Sequence, residues 1–244
     1  MAEELSAQIY SILRSAIPLD KTKINLLKHY IKSIQDYENY TELLFHMVKL
    51  SGKVLPFIPP EHITEQLCKH AVSSNWWALD EIPNKFKTEE LCLFAVKNSG
   101  WAIQFINEKH LTTSICEAAI QKEPSSIRFI PRNYLTPWLC LEAATYDGMT
   151  IEHIPKALRT EAVCLAAVKR SPLSILYVPN ITITHEIVFE ASDRLPSVIK
   201  HINLKTPYMK QIHKQLVEKY QIAIQYIPNP SSDLISLHKM LWEV

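Results

Sequence analysis

The sequence predicts an all-α fold, an α-solenoid of short two-helix repeats with helical caps at both ends. Three observations carry that prediction. The five cysteines, Cys68, Cys92, Cys116, Cys140 and Cys164, stand 24 residues apart at every step, and a fixed period of this length marks a repeat architecture. A threonine precedes each cysteine by four residues (Thr64, Thr88, Thr112, Thr136, Thr160), and an alanine follows it by three (Ala71, Ala95, Ala119, Ala143, Ala167). Glycine is scarce, at 3 residues, and proline frequent, at 15. Few glycines argue against a β fold built on tight turns, and many prolines argue for short helices with sharp ends.

Taken in chain order, residues 3–16 and 22–36 read as two amphipathic helices off the repeat template, with Leu5, Ile9, Ile12 and Leu13 in the first and Ile24, Leu27, Ile31 and Ile34 in the second. They form an N-terminal cap over residues 1–39. Leu43, Leu44, Met47, Leu55, Ile58 and Pro59 open the repeats, which run over residues 40–228 in about eight units. The unit from Thr88 to His110 shows the logic. Thr88 is suited to cap a helix N-terminus, because its hydroxyl accepts from an orphan backbone N–H. Glu89 and Glu90 complement the positive helix end. Leu91, Cys92, Ala95 and Val96 form the apolar stripe, and Asn98-Ser99-Gly100 breaks the helix. Ala102, Ile103 and Ile106 then mark a second helix of about two turns, partly 3₁₀. In the unit that starts at Thr136, Pro137 takes the first helical position, where proline is tolerated.

The columns continue without the cysteine. Thr184, Ile187, Val188, Ala191, Ile199 and Ile202 make a sixth unit with valine in the cysteine column. A weaker seventh holds Ile212 and ends at Ile227-Pro228, one residue out of register. Asn229-Pro230-Ser231-Ser232 is then a loop, and Asp233 starts a C-terminal capping helix, so that residues 229–244 form the second cap. A unit this short cannot bury its own apolar face, and stacking on its neighbours solves that problem.

Charge narrows the function classes. Residues 1–122 carry 13 basic and 14 acidic side chains and residues 123–244 carry 13 and 11, so neither half has the concentrated positive footprint of a nucleic-acid binder. No run of about 20 apolar residues is present, which argues against a membrane span. The acidic start, Glu3-Glu4, is unlike a secretory leader, and five unpaired cysteines fit a reducing, cytosolic setting. The cysteine ladder itself reads as packing. Stacked helices lie about 8–10 Å apart, too far for a disulfide or for a shared zinc, and valine substitutes at residue 188. The ten histidines include no HxxxH or HExxH pair. The expectation is therefore no metal, no cofactor and no catalytic residue.

What remains is the surface that the template leaves variable. One column holds Glu81, Phe105, Phe129, His153, Tyr177 and His201, and the residues four positions earlier include Trp77 and Trp101. Two readings compete for it: second-row packing between units, or a half-exposed aromatic strip that binds a partner, since aromatics dominate interface hot spots. Trp138 is a further candidate contact, because its siblings are Gln66, Glu90, Ser114, Ala162 and Glu186. The candidate partner-binding residues are thus Trp77, Trp101, Phe105, Phe129, Trp138, His153, Tyr177 and His201.

The string from Thr88 to Ile106, together with Thr160 to Pro179, resembles a short helical repeat family of unknown function found in bacterial effector-like and some protist proteins. The resemblance extends over about residues 40–228. It implies an all-helical repeat protein, delivered into a host cell by an intracellular bacterium, and it brings no catalytic residues. Together these readings point to a non-catalytic scaffold that binds a host protein or another effector. A base-per-repeat nucleic-acid reader would need a polar or basic code, and the column Ser73, Lys97, Gln121, Thr145, Lys169 and Asp193 supplies none. An enzyme with an improvised site between units is the remaining alternative, and no constellation nominates its residues.

Overall fold

A computed structural model describes residues 11, 21–33, 40–50, 52–202 and 207–243. Residues 3–16 lie almost wholly outside that set. All regular structure in the described residues is helical, with no strand among them. The chain divides into two compact units, Met1–Phe129 and Ile130–Val244.

The first unit contains α1 (Lys21–Ser33), α2 (Tyr40–Leu50), α3 (Glu65–Ser74), α4 (Ala78–Glu81), α5 (Glu89–Asn98) and α6 (Thr113–Lys122). Six-residue 3₁₀ helices follow α2, α5 and α6 at Gly52–Phe57, Gly100–Phe105 and Pro124–Phe129. The second unit contains α7 (Pro137–Tyr146), α8 (Glu161–Arg170), α9 (His185–Arg194), α10 (Pro207–Lys219) and α11 (Ser232–Trp242). Its six-residue 3₁₀ helices are Gly148–His153, Pro172–Tyr177, Pro196–His201 and Gln221–Tyr226. Within the units, α2 packs on α3, α5 on α6, α7 on α8 and α8 on α9.

The reason for each α-helix is local. Thr64, Thr88, Thr112, Thr136, Thr160 and Thr184 sit in extended backbone, and each hydroxyl accepts from the N–H three residues on, at 3.1–3.5 Å. Each helix then buries the same four positions, such as Leu91, Cys92, Ala95 and Val96 in α5. The alanine is fully buried in all six, from Ala71 to Ala191. Its carbonyl accepts the N–H four residues later and closes the helix, as Ser99 does on Ala95 at 2.9 Å. A larger side chain has no room there. Ala95→Leu should lower stability by about 1–3 kcal/mol, read as a lower urea midpoint, and an unchanged midpoint would show that the alanine column is not tightly packed.

The six-residue segments after α5, α7 and α8 are 3₁₀, and their buried apolar residues are three apart. Ile103 and Ile106 recur as Ile151 and Ile154 and as Ile175 and Val178, all buried, and three residues per turn place such pairs on one edge. The sequence reading of two helices per repeat is incomplete here. A second, three-residue 3₁₀ turn follows at Asn84–Phe86, Glu108–His110, Arg132–Tyr134 and Lys156–Leu158. Pro83, Pro131 and Pro155 do end the preceding helix, but their carbonyls also open this turn, each accepting from the residue three on.

The glycines likewise have a different cause from the one their position indicates. None has positive φ, so they do not serve as left-handed helix ends. A Cβ on Gly148 would lie 2.2 Å from the Ala167 carbonyl oxygen of α8. A Cβ on Gly100 would lie 2.4 Å from the Ala119 carbonyl oxygen of α6. Close backbone approach requires them. Gly148→Ala should therefore destabilise by about 1–3 kcal/mol, measurable as a fall in thermal midpoint, and no fall would mean that α8 can shift freely. At the C-terminus the cap of α11 is Ser231, whose hydroxyl accepts from the Leu234 N–H at 3.4 Å, two residues before the Asp233 start read from sequence.

Candidate functional site

In the first unit the variable column forms two aromatic clusters. Trp77 lies at the N-terminus of α4 with its N–H donated to Asn75 Oδ1 at 3.1 Å, and its side chain is 47% exposed. Trp76 stacks edge-on to Trp77 at 5.6 Å and lies at a tilt on Phe105 at 5.8 Å. Trp101 meets Phe129 edge to face at 5.7 Å. The Arg128 guanidinium stands 4.8 Å from the centre of each of those two rings. Trp101, Phe105 and Phe129 are half-buried. Both readings of the column thus describe part of it: neighbouring repeats do pack through these rings, and their outer faces remain open to solvent.

Trp76 and Arg128 were not singled out by the sequence reading. Trp76 occupies the register that holds Gly100 or proline elsewhere, and a bulky aromatic in a column of glycine and proline was the available signal. Arg128 has no such signal, because its column varies freely, through Asp80, Gln104, Glu152, Leu176 and Lys200.

In the second unit the column is less aromatic and more polar. His153 and His201 are exposed at the ends of their 3₁₀ helices, and Tyr177 is half-buried. Burial first, and the neighbouring Glu152 carboxylate second, push the Tyr177 phenol above its ordinary range. Trp138 belongs to a different surface, the outer face of α7, where it is 47% exposed.

Two cations, buried Lys87 and half-buried Arg159, stand in a column that the sequence reading did not take up. Ile63, Leu111 and Leu135 are buried, while Lys87 and Arg159 occupy the same register. The Lys87 ammonium donates to the Phe105 carbonyl at 3.3 Å, and burial lowers its pKa. Arg159 donates to three carbonyls: Ile154 at 2.7 Å, Tyr177 at 2.6 Å and Glu152 at 3.2 Å. Lys87 and Arg159 each reach the carbonyl 18 residues on. Each therefore satisfies the C-terminal end of the next 3₁₀ helix, next to the aromatic column.

The cysteines form no chemical site. All five are free and fully buried. Among the described residues no cluster of three or more His, Cys, Asp and Glu side chains has metal-binding geometry, and no helix is long and apolar enough to cross a membrane.

Against known proteins, residues 88–135 match a family described as a domain of unknown function (DUF4116). That stretch contains α5, α6 and the 3₁₀ helices between and after them. No curated protein and no solved structure matches the chain.

Proposed function

We propose that the protein is a non-catalytic scaffold that binds a protein partner through its variable aromatic column. The observation that carries this reading is the exposed outer edge of the Trp76–Trp77–Phe105 and Trp101–Phe129–Arg128 clusters. Rigid aromatics with an arginine among them have the composition of interface hot spots, and they sit on a framework whose buried columns hold them in place. The regular recurrence of caps, stripes and 3₁₀ helices supports a solenoid of 24-residue repeats over residues 40–228, between caps at 1–39 and 229–244. Solenoids present extended surfaces of this kind. Resemblance to a repeat family of effector-like proteins further supports action on a host protein or on another effector, in a reducing cytosol after delivery.

The test is affinity capture followed by mass spectrometry, from bacterial and from host-cell lysates. One protein partner should be retained at fixed stoichiometry. Trp101→Ala combined with Phe105→Ala should weaken it by about 2 kcal/mol or more, with the helical circular dichroism spectrum retained at the temperature of the capture. Undiminished capture by the folded double variant would move the site elsewhere. Recovery of nucleic acid with steep salt dependence would replace the proposal.

A further inference from the structure

Arg128 is exposed, and its guanidinium lies 4.8 Å from the centres of both the Trp101 and the Phe129 rings. Attraction between a cation and a ring face holds it there and uses none of its N–H donors. Arg159, Arg170 and Arg194 differ, because each donates to backbone carbonyls of its own chain. Among the described residues no carboxylate pairs with Arg128. Glu123, the nearest acidic residue before it in the sequence, is half-buried and packs its stem against Gly100 instead. The Trp76–Trp77 cluster has the opposite sign. Asp80 and Glu81 follow Trp77 on α4, where they act on the Lys87 ammonium. Within the first unit's aromatic column, an acid is therefore drawn to Arg128.

We propose that the partner lays an Asp or Glu side chain, flanked by an apolar one, on the Trp101–Phe129–Arg128 cluster. The carboxylate accepts from the Arg128 N–H groups, and the apolar side chain covers the outer edges of the two rings. This rests on the scaffold reading above and adds what the partner brings to the surface. Two arguments select a carboxylate. The planar fork of a guanidinium matches the two oxygens of a carboxylate. Among the described residues no second cation stands over either ring, so the cluster balances a single negative charge rather than the larger charge of a phosphate. An ion pair in open water contributes little, so the acid must arrive with apolar surface that shuts water away from the rings.

Hydrocinnamate, an apolar ring bearing one carboxylate, is the probe, and the indole N–H resonances of the full chain are the readout. Hydrocinnamate should shift the Trp101 resonance saturably at millimolar concentration and leave those of Trp138 and Trp242 in place. Its neutral amide should bind more weakly by about fivefold, which is near the most that an exposed ion pair supplies. Arg128→Gln should weaken the acid by the same factor and leave the amide unchanged, with the helical circular dichroism spectrum retained. An amide that binds as tightly as the acid, acid binding that survives Arg128→Gln, or a Trp101 resonance that hydrocinnamate does not move would overturn the proposal. Inorganic phosphate that binds at Trp101 more tightly than hydrocinnamate would overturn it too. Capture of a protein partner through Trp101 and Phe105 is a separate readout. Capture that persists while hydrocinnamate is ignored defeats the acidic contact and leaves the scaffold reading standing. Hydrocinnamate bound with nothing captured defeats the scaffold reading and leaves the acid-binding cluster.

Discussion

Raising the pH from about 9 to about 11 should unfold the protein through its cysteine column. Burial pushes the thiols of Cys68, Cys116, Cys140 and Cys164 up to about 11 from an ordinary 9.0. Cys92 is raised as well, with the Lys87 ammonium acting against the rise. In the unfolded chain these thiols ionise near 9.0. Their folded values are higher, so the stability they contribute is fully present below pH 9 and is lost as pH climbs to 11. One pKa unit is worth about 1.4 kcal/mol, so the raised thiols together remove several kcal/mol, a large share of a domain's stability. The check is the urea midpoint at about pH 7.5, 9, 10 and 10.5. Tyrosines and lysines also titrate there, so the decisive comparison is a variant with valine at all five cysteines, the residue that position 188 already uses in full burial. The natural chain should lose stability much more steeply than that variant. Parallel curves would show that the thiols ionise without unfolding.

Arg159→Met should cost about 3 kcal/mol, while Lys87→Leu should leave stability unchanged or raise it. Removing Arg159 leaves the part-buried carbonyls of Ile154 and Tyr177 and the exposed one of Glu152 without this donor, and an acceptor left unsatisfied out of water costs roughly 1–3 kcal/mol. Methionine fills the space, so the loss reports hydrogen bonding. Lys87 makes one longer bond, at 3.3 Å, and pays desolvation that leucine at the same register, as at Leu111 and Leu135, avoids. Opposite signs for the two variants in one thermal-melting series would establish the difference. A large loss for Lys87→Leu would show that the Phe105 carbonyl depends on its cation.

The clearest sequence signals were those in which one residue acts within its own turn. The threonine caps, the alanine column and the buried cysteines stand in the structure where the 24-residue spacing places them. Each needs only a hydroxyl, a small side chain or a small apolar one at a fixed helical position. The candidate surface was legible in part. Trp77 and Trp138 stood out because large aromatics broke polar or variable columns, and both are exposed. Arg128 was illegible, since an arginine in a freely varying column says nothing until its approach to the rings of Trp101 and Phe129 is seen. Lys87 and Arg159 were illegible for a like reason, since their partners are carbonyls on the next 3₁₀ helix, 18 residues on.

The sequence by itself determined the helical class, the threonine caps of six α-helices from Thr64 to Thr184 and the apolar stripe that follows each cap. These follow from backbone hydrogen bonding and from 3.6-residue periodicity, and both act over a few residues. The tertiary structure alone decided what lies between repeats. It assigned Gly100 and Gly148 to close approach, because a Cβ there would strike the carbonyl of a helix about 20 residues on. It made Arg159 a clasp rather than a surface charge, and it divided the aromatic column between ring-on-ring packing and open surface. Those outcomes depend on distances between segments that no local pattern encodes.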